Sequence, residues 1–331
     1  RSSIRQGENF TVILSTANFV DLRSIKLVGQ LVLRDSAGES VAHHSYMPFL
    51  FETITLKTEQ GVIIEHLDRA KMTGYLKQIF TKEDDDLETA SSQTLNNPTF
   101  HVLGDSKVVI PSFDLMGFFN MNKVLRLSTF GALVIDFQLA TAPSSYIYRN
   151  ISMGSNKNHT FEINNLEVVY DEVDVTPSYL NMYNERIERA GMNLQFMSIA
   201  HSNDVIDGLL GEKQVPIHKS VQNCRNLITT VTEMHPSFED NVLRLGSNNM
   251  FAPNNDEFFF QYKLGGAQYP KGGVRNGVMA YKNFQDCTLN NVKRKKTNEV
   301  TKQNFTQNMH RSFRMKPDFD KFPVGMASDD T

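Results

Sequence analysis

The stretch ALVIDFQL, residues 132–139, decides the fold class. Leu133, Ile135, Phe137 and Leu139 fall on one side of an extended chain, and Asp136 and Gln138 fall on the other. A period of two belongs to a strand with one face on a core and the other in water. The pattern recurs on either side. In 25–33 the residues Ile25, Leu27, Leu31 and Leu33 share a face, and the turn Asp35-Ser-Ala-Gly38 follows. Residues 53–58 alternate and stop at Glu59-Gln-Gly61. Segments 107–110, 123–127 and 161–170 complete the strand signals of this half.

Two helices are expected among these strands. Residues 66–80 carry Leu67, Ala70, Leu76 and Ile79 as a helical stripe. Residues 176–191 carry stronger signals. Thr176 can cap, Pro177 suits the first helical position and Gly191 closes the end. Tyr179, Tyr183, Ile187 and Ala190 then share one face, with Glu185, Arg186, Glu188 and Arg189 in solvent. This helix reads as the joint between two halves. Beyond it the strand pattern restarts at 193–199, 225–232 and 257–264. Many short strands, turn signals and few helices point to a β-sandwich or barrel, here in tandem.

The glycine-rich segment EFFFQYKLGGAQYPKGGVRNGVMAYKNF, residues 257–284, raises a phosphate-binding alternative. A phosphate loop needs Gly-Lys-Ser/Thr ahead of a helix, and no Lys-Ser/Thr follows Gly272-Gly273. The reading is a strand ending, a surface loop and a restart, with glycines supplying positive φ.

The composition fits a globular chain. It has 331 residues, 40% apolar and 21% charged, with a net charge of −3. That is enough for one large or two ordinary domains, and too balanced for broad affinity to nucleic acid or acidic membranes. Cys224 and Cys287 make no disulfide framework and suit a reducing compartment. No apolar run reaches the roughly 18–20 residues of a membrane helix. No signal-peptide pattern is visible and the sequence begins at Arg1, so a processed or trimmed N-terminus is expected.

Chemistry is sparse. His43-His44 would point to opposite faces of a strand, and no zinc spacing is present. The acidic run 83–88 lacks the glycine and the spaced glutamate of a calcium loop. Lys293-Arg-Lys-Lys296 reads as an exposed loop, with a nuclear-import or nucleic-acid patch as the alternative. No Gly-x-Ser-x-Gly elbow occurs, and Cys224 has no nearby histidine. Sequons at Asn9, Asn150, Asn158 and Asn304 read as chance matches without a signal peptide. No catalytic, cofactor-binding or metal residue is therefore assigned. The expectation is a non-enzymatic protein that works through its surfaces.

The order of segments resembles that of double jelly-roll major capsid proteins of DNA viruses, in the style of polinton-like viruses, adintoviruses and virophages. Residues 18–27 resemble the family's opening strands, and 51–57 with the helix at 66–80 resemble its strand, hairpin and short helix. Residues 122–127 with 133–139 look like its late strands, and 161–170 running to Pro177-Ser-Tyr179 like the exit into its connecting helix. Residues 259–270, followed by Ala280-Tyr281, are similar to a second-domain strand, Tyr-Pro turn and helix, and 318–323 to the segment before the last strands.

The resemblance implies two tandem eight-stranded antiparallel jelly rolls: residues 1–176, a connecting helix at 177–191, and residues 192–331. It implies a homotrimer of near-hexagonal outline that tiles an icosahedral shell in the virion and assembles in host cytoplasm or nucleus. Its partners would be neighbouring capsomers and penton and minor capsid or cement proteins. An underlying membrane is compatible with it, and no specific nucleic acid is implied. Loops 34–50, 81–106, 201–220 and 235–256 are the candidate surface or inter-subunit contacts. The chain ends at Asp330-Thr331 where the family continues into further strands, so truncation or completion from elsewhere is expected, because an open sheet edge invites pairing. The rival readings are a β-sandwich carbohydrate-binding or adhesion module, which wants an aromatic platform or a calcium site, and a metal-dependent cupin, which wants clustered His and Glu.

Overall fold

A computed structural model describes residues 3–34, 50–70, 73, 106–109, 115–141, 160–202, 214–217, 227–230, 259–264, 266–275, 279 and 312–315. The chain divides into two compact units. One holds Arg1–Lys77, Leu87–His201 and Glu239–Val242, and the other holds Gln78–Asp86, Ser202–Phe238 and Leu243–Thr331.

The first unit contains β1 (Ser3–Arg5), β2 (Asn9–Leu14), β3 (Phe19–Asp21), β4 (Lys26–Arg34), β5 (Phe51–Thr58) and β6 (Ile63–Asp68). It continues with β7 (Ser106–Val109), β8 (Val124–Arg126), β9 (Leu133–Leu139), β10 (Thr160–Val169), β11 (Glu172–Val173) and helix α1 (Pro177–Ala190). Two four-stranded antiparallel sheets carry the fold, in the orders β1-β10-β4-β7 and β2-β9-β5-β6. Setting aside β3, β8 and β11, which form a small sheet of their own, the pairs are nested. β1 pairs with β10, β2 with β9, β4 with β7 and β5 with β6. Along the chain every connection between these eight strands changes sheet except the β5–β6 hairpin. Eight strands nested first with last over two sheets constitute a jelly roll.

The alternation read from the sequence is what the core uses. On β9, Leu133, Ile135, Phe137 and Leu139 are all buried. Phe137 stacks on Phe10 of β2 at 4.7 Å and meets Phe51 of β5 at 5.0 Å. Opposite them, Ile4, Ile163 and Leu31 lie in one buried row across β1, β10 and β4. On β10 the alternation changes phase at a bulge. Asn165, at φ 51, and Leu166 together face Gly29. A Cβ on Gly29 would lie 3.1 Å from Ile163 Cγ2, so the bulge and the missing side chain fit one another.

Four expectations are corrected. The helix proposed at 66–80 does not begin there: His66, Leu67 and Asp68 belong to β6, where Leu67 is buried opposite Ile54. Helical backbone starts only at Ala70, and Thr73 N–H donates to Arg69 O; residues 74–80 lie outside the described set. Residues 193–199, read as a strand, carry no regular secondary structure and pair with nothing in a ladder among the described residues. The strand read at 123–127 is only Val124–Arg126, because Leu127–Phe130 wind into a 3-10 turn.

The fourth correction is in the second unit. Its described strands are β12 (Leu227–Thr230), β13 (Phe260–Leu264), β14 (Ala267–Val274) and β15 (Ser312–Met315), paired antiparallel as β12–β15 and β13–β14. The Tyr269-Pro270 step lies inside β14 and not in a turn. The strand accommodates it by a register shift between Phe260 and Tyr262, and Gln261 Nε2 donates to Pro270 O at 3.0 Å. Gly266 and Gly273 do take positive φ, and a Cβ at Gly273 would fall 2.1 Å from the Phe259 ring. Among the described residues the fold class is the expected antiparallel β, with α1 as the long helix.

Candidate interaction surfaces

The outer face of the β2-β9-β5-β6 sheet is a grid set by register. One row runs Ile13, Val134, Lys57 and Ile63. The next runs Thr11, Asp136, Thr55 and His66, and the third runs Asn9, Gln138, Thr53 and Asp68. The row ends Ile13 and Ile63 are 66% and 62% exposed. The polar rows are cross-linked. Thr11 Oγ1 donates to Asp136 Oδ1 at 2.8 Å, Lys57 bridges the other Asp136 oxygen, and Thr53 Oγ1 donates to Gln138 Oε1 at 3.2 Å. Partial burial alone would raise the Asp136 pKa, but hydrogen bonds from Lys57 and Thr11 and the Lys57 charge outweigh it and hold the carboxyl below the ordinary range.

Within this grid Thr55 Oγ1 lies 2.8 Å from His66 Nδ1, and His66 Nε2 lies 2.8 Å from Asp68 Oδ1. A hydroxyl, an imidazole and a carboxylate in series suggest a nucleophile with its base. The setting does not complete it. Thr55 sits on β5, flanked by β9 and β6, so the amides beside it belong to ladders and cannot turn to an oxyanion. The trio is a cross-strand Thr55–His66 pair extended along β6 to Asp68, and it stiffens the face.

At the small sheet β11-β3-β8, helix α1 docks on Phe19. The Phe19 ring meets Tyr183 at 4.9 Å and Tyr179 at 6.0 Å, both edge-on. Arg126 ties the same place together, donating to Ala17 O and to Asn184 Oδ1 at 3.1 Å each. The capping read from the sequence is present: Thr176 accepts from Tyr179 N–H, Pro177 opens the helix and Gly191 closes it at φ 68. Yet α1 buries none of its residues, and Tyr179 and Met182 are 45% and 59% exposed. The Tyr183 hydroxyl is buried with no hydrogen-bond partner among the described residues. Glu172 holds this corner from the other side. Hydrogen bonds from Thr16 and Asn18 lower its pKa.

A third feature went unread in the sequence. Glu65 occupies an inward position of β6 and is only 5% exposed. Its two oxygens accept the consecutive amides of Gly117 and Phe118, at 2.9 and 3.0 Å. The signal was available, since Glu65 shares its parity with Leu67 on a strand.

Most motifs singled out in the sequence lie outside the described residues. His43-His44, the acidic run 83–88, Lys293–Lys296, Cys224 and Cys287 lie outside the described residues, as do the sequons at 150, 158 and 304 and nearly all of the candidate contact loops. Asn9 lies on the exposed face of β2. Among the described residues no cluster of three His, Cys, Asp or Glu could hold a metal, and no helix is long and apolar enough to cross a membrane.

The sequence matches no protein-family model and no curated protein. Among solved structures it is similar to a quasi-atomic model of the PBCV-1 virus capsid, at 15% identity over 51% of this chain and 42% of that chain, with a TM-score of 0.33. It is also similar to PBCV-1 VP54 fitted into a cryo-EM reconstruction of the virophage Sputnik, at 15% identity over 51% of this chain and 42% of that chain, with a TM-score of 0.32. The chain thus spans less than half the length of those chains. The jelly-roll assignment rests on the strand order itself.

Proposed function

We propose that this chain is a major capsid protein of a DNA virus, with a second jelly roll following the first, that assembles as a homotrimer tiling an icosahedral shell. The observation that carries the reading is the nested strand order of the first unit. Jelly rolls serve viral capsids, lectins and cupins alike. What favours the capsid is the order of the family-like segments along that scaffold. Residues 18–27 fall on β3 and the start of β4, 51–57 on β5, 122–127 and 133–139 on β8 and β9, and 161–179 on β10, β11 and α1. Six similar sandwiches around a three-fold axis fill a near-hexagonal tile, and repeated tile contacts close a shell. Large obligate contacts suit a surface that leaves helix α1 and the row ends Ile13 and Ile63 exposed in the single chain.

On this reading the protein is non-enzymatic and binds itself first. Neighbouring capsomers, penton and minor capsid proteins are its further partners, and the virion is its location. The loops at 34–50, 81–106, 201–220 and 235–256 supply contacts between subunits or the outer surface. Native mass spectrometry with negative-stain imaging of the same sample tests it. A species of three times the protomer mass with a near-hexagonal outline is expected. A protein that stays monomeric at high concentration, or that binds glycans without assembling, would overturn it.

A further inference from the structure

The 115–121 turn connects three segments. Leu115, Met116, Phe118, Phe119 and Met121 are buried in it, and Asn120 N–H donates to Gly117 O at 3.2 Å and Met121 N–H to Phe118 O at 3.3 Å. On one side the Glu65 carboxylate takes its Gly117 and Phe118 amides. On the other lies segment 193–199, which follows α1. The Phe118 ring meets Phe196 edge-on at 5.7 Å. A Cβ at Gly117 would fall 1.6 Å from Met197 O, so the Met197 peptide occupies the place of a side chain there.

Segment 193–199 has no ladder partner among the described residues, and the Phe118–Phe196 and Gly117–Met197 contacts join it to the turn. We infer that Glu65 is a positioning residue: its carboxylate clasps the 115–121 turn and, through Gly117 and Phe118, straps segment 193–199 to the first jelly roll. A carboxylate accepting two consecutive amides orients that peptide pair more strictly than any apolar contact could, because hydrogen bonds to an ionised acceptor are strong and directional. The clasp is local. Releasing it frees the strap while the nested sheets stay closed, since none of the strand pairs in those sheets runs through the turn. The inference stands on the first unit alone and does not depend on the capsid reading.

Limited chymotrypsin digestion of the full chain tests it, with cleavage after Phe196 followed against cleavage after Phe137 in β9. Glu65→Gln keeps the volume and removes the charge. Gly117→Ala presses on the strap itself, at Met197 O. Both variants should be cut at Phe196 about tenfold faster, with Phe137 as protected as before, because cleavage tracks the population of the locally open form. Unchanged cleavage at Phe196 in either variant would overturn the clasp. Parallel acceleration at Phe137, or a variant that does not fold, would also overturn it, since Glu65 would then support the whole core.

Discussion

Strand β9 and helix α1 both carry apolar stripes at their proper periods, and they meet opposite fates. β9 buries all four of its inward side chains and anchors a cluster of three phenylalanines. α1 buries none, and touches the body mainly through Tyr179, Tyr183 and Asn184. The difference shows that a stripe states only where an element could bury surface. The partner decides whether it does. For β9 the partner is the opposite sheet of the same chain. For α1 it is a narrow ledge on β3, which leaves Met182 in water.

The widest gap between the two should appear on truncation. Phe137→Ala removes the ring stacked on Phe10 and should cost about 3–5 kcal/mol in chemical denaturation. A loss under about 1 kcal/mol would mean that this cluster is not the centre of the fold. On α1 the largest single effect should come from its end and not from its stripe. Thr176→Ala removes the cap on Tyr179 N–H and should cost about 1 kcal/mol, with helicity lost at the first turn.

The outer face of β9 should matter less than either. Asp136→Asn removes the Lys57 pair and should cost roughly 0.5 kcal/mol at neutral pH, as half-exposed pairs do. The Asp136 pKa is lowered on folding, so the contribution is complete above the ordinary carboxylate value of about 3.9 and fades as pH falls through the lower folded value. Stability curves of the protein and the variant should therefore run parallel near pH 7 and converge as the carboxyl is protonated in acid; divergence in acid would reverse the sign. Smallest of all, Met182→Gln should change protomer stability by no more than about 0.5 kcal/mol. A larger loss would show that Met182, beside the stripe, is already covered in the folded protomer, and the contrast with β9 would weaken.

Where reading from sequence worked, the signal was local. The phase of β9 depends on neighbours two residues away, and the ends of α1 depend on Thr176, Pro177 and Gly191. Where it failed, competing patterns were locally equivalent. Leu67 and Ala70 suit a helical stripe, but Leu67 also suits a strand with Glu65, and pairing with β5 chose the strand. Residues 193–199 alternate as a strand would, yet in the described structure they rest on a turn instead of a ladder. Tyr269-Pro270 has the composition of a turn, and a register shift absorbs it within β14. Glu65 looks solvated in the sequence, because an acidic residue on a short strand ordinarily is, and the amides of Gly117 and Phe118 make its inward position stable.

The sequence by itself determined which faces of the strands are apolar, where α1 begins and ends, and that the chain is built mainly of antiparallel β. The tertiary structure alone decided the nesting, in which Ile4 pairs with Ile163 and Phe10 with Phe137, and it alone gave Glu65 its partners. Periodicity and caps are set within a few residues. The outer pairs of the nest close across more than a hundred residues, by whichever closure buries the most apolar surface while pairing the backbone groups it buries.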